Sequence, residues 1–123
     1  GYLQLGALLS QNHHLHGEAF NFGPQAQQNH SVLELVKQMS GSWSEVRWAE
    51  CEPQPSQFYE SGLLKLNCDK ALHFLNWHAV LDFEETVALT ADWYRSFYAD
   101  PSSIQDVTHD QINDYAKKLS FLI

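Results

Sequence analysis

Apolar residues recur at three- and four-residue steps in five segments, and each run predicts a helix with one buried face. The first covers Tyr2 to Ser10, with Leu5, Leu8 and Leu9 on one side. The second opens on Ser31-Val32-Leu33-Glu34. There the Ser31 hydroxyl caps the helix while the Glu34 carboxylate reaches back, a capping box. Val32, Leu35, Val36 and Met39 share its apolar face, and Gly41 ends it. The third is short: Asp69 as cap, Leu72 and Leu75 inward, and Asn76 as the left-handed residue that closes it. Trp77 then packs back as the hydrophobic partner of that closure. The fourth carries the longest pattern, with Asp82 as cap, Glu85 three residues on, and Phe83, Val87, Thr90, Ala91, Tyr94 and Phe97 in register. It runs to about Tyr98 and stops before Asp100-Pro101. The fifth starts at another capping box, Thr108 to Gln111, with Ile112, Tyr115, Ala116 and Leu119 apolar. Asp100 to Val107 is left as a polar linker.

Three segments alternate with period two and predict short strands: Ala19 to Phe22 before the Gly23-Pro24 turn, Glu45 to Ala49, and Leu63 to Leu66. Gln11 to His16 and the two-proline stretch Cys51 to Glu60 are loops by composition. The expected fold class is therefore α+β: a small lobe of about five helices packed on short strand pairs, with no Rossmann domain. Residues 1–99 form the lobe, and residues 100–123 a linker and C-terminal helix.

Composition narrows the functional classes. The 123 residues are 44% hydrophobic and 13% aromatic, enough for a buried core and too apolar for a disordered chain. Seven Lys+Arg stand against fifteen Asp+Glu, a net charge of −8. That balance excludes a nucleic-acid partner held by phosphate neutralisation, and docking on an anionic membrane. No stretch is long and apolar enough to span a bilayer. The first residues lack both an initiator Met and a basic leader. This predicts a segment of a longer, cytoplasmic protein. Cys51 and Cys68 form no CxxC pair, so reduced thiols are expected.

Known chemical motifs are sparse. The sequence holds no G-x-G-x-x-G, P-loop, H-E-x-x-H, EF-hand loop or G-x-S-x-G. His13, His14 and His16 lack a carboxylate or thiol at ligand spacing and read as exposed loop histidines rather than a metal site. Trp43, Trp48, Trp77 and Trp93 read as packing residues. Glu84 and Glu85 favour a helix N-terminus, and Asp69 and Asp82 are caps. Glu60 stands apart, at a loop end just before an expected strand, where binding groups are commonly held on a scaffold. A carboxylate there can accept two hydrogen bonds from a vicinal diol such as a ribose. No catalytic, cofactor-binding or metal-ligating residue is predicted in this chain.

The run Glu60-Ser61-Gly62-Leu63-Leu64-Lys65-Leu66-Asn67-Cys68-Asp69-Lys70-Ala71, followed by Leu75-Asn76-Trp77, Phe83-Glu84-Glu85-Thr86 and Trp93-Tyr94, carries a resemblance. It is similar to the C-terminal part of extended short-chain dehydrogenase/reductases acting on nucleotide sugars. Gly17-Glu18-Ala19-Phe20-Asn21-Phe22-Gly23-Pro24 resembles the segment those enzymes place at the substrate cleft. The nearest branch is the CDP-glucose 4,6-dehydratases, and the resemblance covers Gly1 to about Ala99. Asn67 stands where the family has Asp, Asn76 where it has Gly, and Gln57 where many relatives carry an Arg or His facing phosphate.

The resemblance implies a lyase as the parent protein. That enzyme uses NAD to take a hydride from sugar C4, eliminates water across C5–C6 and returns the hydride to C6. It also implies that the NAD-binding Rossmann half and the catalytic residues lie on another part of the parent, so that this lobe alone is inactive. Asn21, Glu60 and Gln57 are the implied substrate-binding residues, CDP-glucose the implied ligand, and the Rossmann half and a homodimer mate the implied partners. The competing expectation is a free-standing, non-catalytic binding or oligomerisation module built on the same lobe.

Overall fold

The computed structural model describes residues 1–49 and 65–120. Among these the chain is helical and contains no strand. The helices are α1 (Tyr2–Leu9), α2 (Val32–Ser42), α3 (Asp69–Leu75), α4 (Phe83–Ala99) and α5 (Ile104–Ser120). Single 3-10 turns occupy His13–Leu15 and Pro101–Ser103. The chain divides into two compact units, the first formed by Gly1–Gln28 and Tyr59–Ala79, the second by Asn29–Phe58 and Val80–Ile123.

The absence of strands corrects the α+β expectation. Ala19 to Phe22 does alternate, since Phe20 and Phe22 are half-buried while Ala19 and Asn21 are exposed, but it forms no backbone ladder. Its tie to the 65–68 segment is a side-chain bond, from the Asn21 amide to the Asn67 carbonyl at 3.2 Å. Period two reports which side chains face a core; it does not require a neighbouring strand to pair with. Glu45 to Ala49 is likewise irregular and starts in a turn, with the Val46 N–H donating to the Trp43 carbonyl at 3.1 Å. Of the third expected strand, Leu63 and Leu64 lie outside the described residues, and Lys65 and Leu66 are in irregular backbone.

The first unit is built on α1 and α3. Leu15, Ala71 and Leu75 form its core, with Leu5, Leu8, Leu9, Phe20, Phe22 and Trp77 packed around them. Helix α3 has only seven residues, too few to hold together in water without packing. Ala71 has no solvent exposure, so its methyl group sets how closely the neighbouring segments approach. The side chain that caps α3 is not Asp69, the first helical residue, but Asn67, whose Oδ1 accepts from the Asp69 N–H at 2.8 Å. At the other end Asn76 is left-handed (φ 50°), as expected, and Trp77 turns back onto the core. Gly17 (φ 79°) makes another left-handed bend, between the His-rich 3-10 turn and the irregular 18–22 segment.

The second unit holds α2, α4 and α5. Both expected capping boxes at the starts of α2 and α4 are formed: Ser31 with Glu34, and Asp82 with Glu85. Val87 and Ala91 are the buried residues of α4. Helix α5 starts at Ile104, inside the stretch read as a linker. Asp100 caps the preceding turn, accepting from the Ser102 N–H at 3.0 Å, and Pro101 fits the first position because it has no N–H to satisfy. Thr108 is therefore interior to the helix. Its hydroxyl donates to the Ile104 carbonyl at 2.7 Å and accepts from the Trp93 indole N–H at 2.9 Å. Further bonds join α5 to α4: the Gln111 amide donates to the Leu89 carbonyl at 3.0 Å, and Lys118 pairs with Glu85. Ile112, expected to face inward, is 54% exposed, so polar contacts carry much of this helix pair.

Leu75→Ala is expected to cost about 2–5 kcal/mol, because the short helix cannot collapse onto the space left behind. Urea titration followed by circular dichroism measures it, and a cost under about 0.5 kcal/mol contradicts the packing described.

Hydrogen bonding from Lys118, then from the Asp82 backbone, holds the Glu85 carboxyl below its ordinary value, and bonds from Ser31 do the same for Glu34. A carboxyl lowered by folding stabilises the fold fully above its free value and ceases to do so as pH falls through the folded one. Wild-type melting temperature should therefore drop on acidification below the free carboxylate range. Glu85→Gln should melt lower at pH 7 and lose less on acidification; parallel curves for the two proteins would contradict the role given to Glu85.

Candidate functional site

A cavity of about 590 Å³ lies within the first unit. That is within the range of roughly 300–1,000 Å³ typical of small-molecule sites. Three stretches meet around it: Gly23 to Gln27, and, about 40 positions on, Lys65 to Asp69 with Leu72 and Trp77 to Ala79. Each is placed by a local feature already described. The Asn67 side chain turns the chain into α3, and the left-handed Asn76 swings Trp77, His78 and Ala79 to the cavity. The Gly23–Gln27 segment is tied across by Lys65, whose ammonium donates to the Ala26 carbonyl.

The lining mixes an apolar wall with a few polar groups. Leu66, Leu72 and Trp77 supply the wall. Lys65, Asn67, Asp69 and His78 supply charge and hydrogen bonding. Trp77 is itself fixed by an edge-to-face contact with Phe22, ring centres 4.9 Å apart, and Phe22 meets Tyr2 in the same way at 5.2 Å. An indole held by other aromatics offers a flat surface at little entropic cost. Cys68 is a free, half-buried thiol on the lining.

Of the substrate-binding residues expected from sequence, the structure describes Asn21. It is exposed and stands beside the cavity, with its amide donating to Asn67, a lining residue. One of the amide's two donors is used in that bond. Gln57 and Glu60 lie outside the described residues, as does Cys51. Sequence reasoning missed Lys65 and His78. The signal for Lys65 was present: it is the one cation between Arg47 and Lys70, set within an apolar run. His78 carried no such signal, since only the turn at Asn76 brings it to the lining.

His13, His14 and His16 are exposed, as expected, though His13 and His14 sit on a 3-10 turn and His16 directly follows it. The His16 ring bonds the Leu9 carbonyl at 2.9 Å and lies 4.9 Å from the His13 ring. Among the described residues no group of three or more His, Cys, Asp or Glu is placed to hold a metal ion. Trp43 and Trp93 are half-buried in the second unit, Trp93 stacked on Phe97 at 5.6 Å, whereas Trp48 is exposed. Glu18, on the surface of the first unit, has its carboxyl lowered by hydrogen bonding from Lys70, which also lies over the Phe20 ring. No helix among the described residues is long and apolar enough to cross a membrane.

No protein-family model, curated protein or solved structure matches the chain.

A Cβ on Gly23 would lie 3.3 Å from Leu66 Cδ1 and 3.5 Å from the Cys68 sulfur. Gly23→Val should therefore narrow the cavity at Cys68. In a Cys51→Ala background, Ellman's reagent should label Cys68 severalfold more slowly in the Gly23→Val protein, with the helical circular dichroism unchanged. An unchanged labelling rate would show that Gly23 does not control access.

Proposed function

We propose that this chain is the nucleotide-sugar-binding part of an NAD-dependent sugar-nucleotide 4,6-dehydratase, with CDP-glucose as its ligand. On this reading the parent is a cytoplasmic lyase. Its NAD site and catalytic residues belong to a Rossmann half outside this chain. The supporting observation is convergence. Asn21 to Pro24, Lys65 to Asp69 and Trp77, which carry the sequence resemblance, lie on or beside one cavity of ligand size. Asn21 to Pro24 lies more than 40 positions from Lys65 and Trp77, so no local reason brings its polar groups to theirs.

The chemistry of the cavity suits such a ligand. The Trp77 face and Leu72 can take the base or the flat side of a sugar, and the amides and Lys65 can bond hydroxyl and phosphate oxygens. The contribution to the reaction is proximity: a sugar held in one orientation presents C4 and C5 to the catalytic lobe, a gain realised without a reactive group on this side. Glu60 and Gln57 retain the roles the resemblance implies, ribose and phosphate contacts.

A second reading, a free-standing binding or self-association module, draws on the apolar residues left exposed in the second unit. Val32 is 76% and Tyr98 67% exposed, with Leu33, Leu35, Tyr94 and Phe97 also on the surface. The dimer expected from sequence would use such a face under either reading, so ligand binding is what separates them.

Isothermal titration of the chain with CDP-glucose should give saturable heat, weakened in Glu60→Ala, and titration with NAD should give none. Chain incubated with NAD and CDP-glucose should form no 4-keto sugar. Absence of CDP-glucose binding would favour the association module, and turnover by the chain alone would overturn the division of labour proposed.

A further inference from the structure

We infer that Lys65 is the anchor for the pyrophosphate of a nucleoside diphosphate in this cavity; the inference rests on the nucleotide-sugar reading above. The first unit has two lysines among its described residues, Lys65 and Lys70. Lys70 is already neutralised by Glu18 and covers the Phe20 ring, on another part of the surface. Lys65 lines the cavity and has no carboxylate partner within ion-pair distance among the described residues. Its ammonium donates to the Ala26 carbonyl, which fixes the end of an otherwise flexible side chain; its other two donors have no partner among the described residues. A cation held in place by a neutral partner keeps its full charge for a ligand.

The sign of the surroundings sharpens the point. The chain carries −8 overall, and Asp69 shares the lining. An anionic ligand entering such a site needs a local cation to offset that field, and among the described lining residues Lys65 is the one with a permanent positive charge. Gln57, where relatives carry a phosphate-facing cation, is neutral. Lys65 supplies the missing charge from a different segment. A lysine here is a point charge with rotatable donors, suited to two linked phosphates without demanding the planar geometry of a guanidinium.

The test is calorimetric titration of wild type, Lys65→Ala and Lys65→Arg with cytidine, CDP and CDP-glucose. Charge-assisted hydrogen bonds set the expected effect. Lys65→Ala should weaken CDP and CDP-glucose about tenfold or more and leave cytidine unchanged, and Lys65→Arg should retain most of the affinity. Raising the salt concentration should weaken CDP binding to wild type more than to Lys65→Ala. Equal CDP-glucose affinity in wild type and Lys65→Ala overturns the anchor while leaving the nucleotide-sugar reading in place. An equal loss for cytidine and CDP also overturns it, because Lys65 would then act only by holding the Ala26 turn. Failure of wild type to bind any of the three ligands overturns both.

Discussion

The contact of Ala71 and Leu75 with Leu15 is the constraint on which the candidate site depends. Seven residues cannot sustain a helix by themselves, so α3 exists because its inner face is taken up by this core. Everything around the cavity hangs from its two ends. The Asn67 side chain starts it, which fixes the backbone of Lys65 to Cys68, and Asn76 ends it, which directs Trp77 and His78 to the lining. The aromatic chain Tyr2, Phe22, Trp77 then ties that second end back to α1. A cavity lined largely by irregular backbone is thus positioned by one short helix anchored through Ala71 and Leu75.

Helix starts and stops were legible because their causes are local. The boxes at Ser31 and Asp82 and the left-handed Asn76 each involve groups within a few residues, and all three formed where the sequence placed them. What the sequence could not separate was alternation from pairing. Phe20 and Phe22 face a core while Asn21 faces away, as a strand would have it, yet a strand needs a partner ladder and the described backbone offers none. Thr108 misled for a related reason. Its hydroxyl has the chemistry of a cap, but the helix had already begun at Ile104, and the hydroxyl instead bridges its own helix and the Trp93 indole. A capping residue is recognised by what precedes it, and Asp100-Pro101 was the stronger start signal.

The site divides along the same line. Asn21 could be singled out from its setting in the sequence, and the structure brings it beside the cavity through Asn67. His78 reaches the lining only through folding, and Lys65, though marked as a lone cation in an apolar run, gains its neighbours there only through folding. Long-range placement is the part of a site that periodicity does not encode.

The two units also differ in how they are held, and so in what each could offer a ligand. The second unit relies on polar ties such as Gln111 to Leu89 and Lys118 to Glu85, and leaves Tyr94, Phe97, Tyr98 and Ile112 substantially exposed. A surface of that kind gains most from covering a broad apolar area, as a protein partner does. The first unit gathers Lys65, Asn67, Asp69 and His78, with Lys65 free of any carboxylate among the described residues, along an open-sided cavity that Trp77 also lines. A small ligand gains most from that arrangement, since a few placed polar groups orient it while an apolar wall excludes water. Recognition of a small ligand and association with a protein surface make different physical demands, and the two units differ in which of those demands their exposed groups suit.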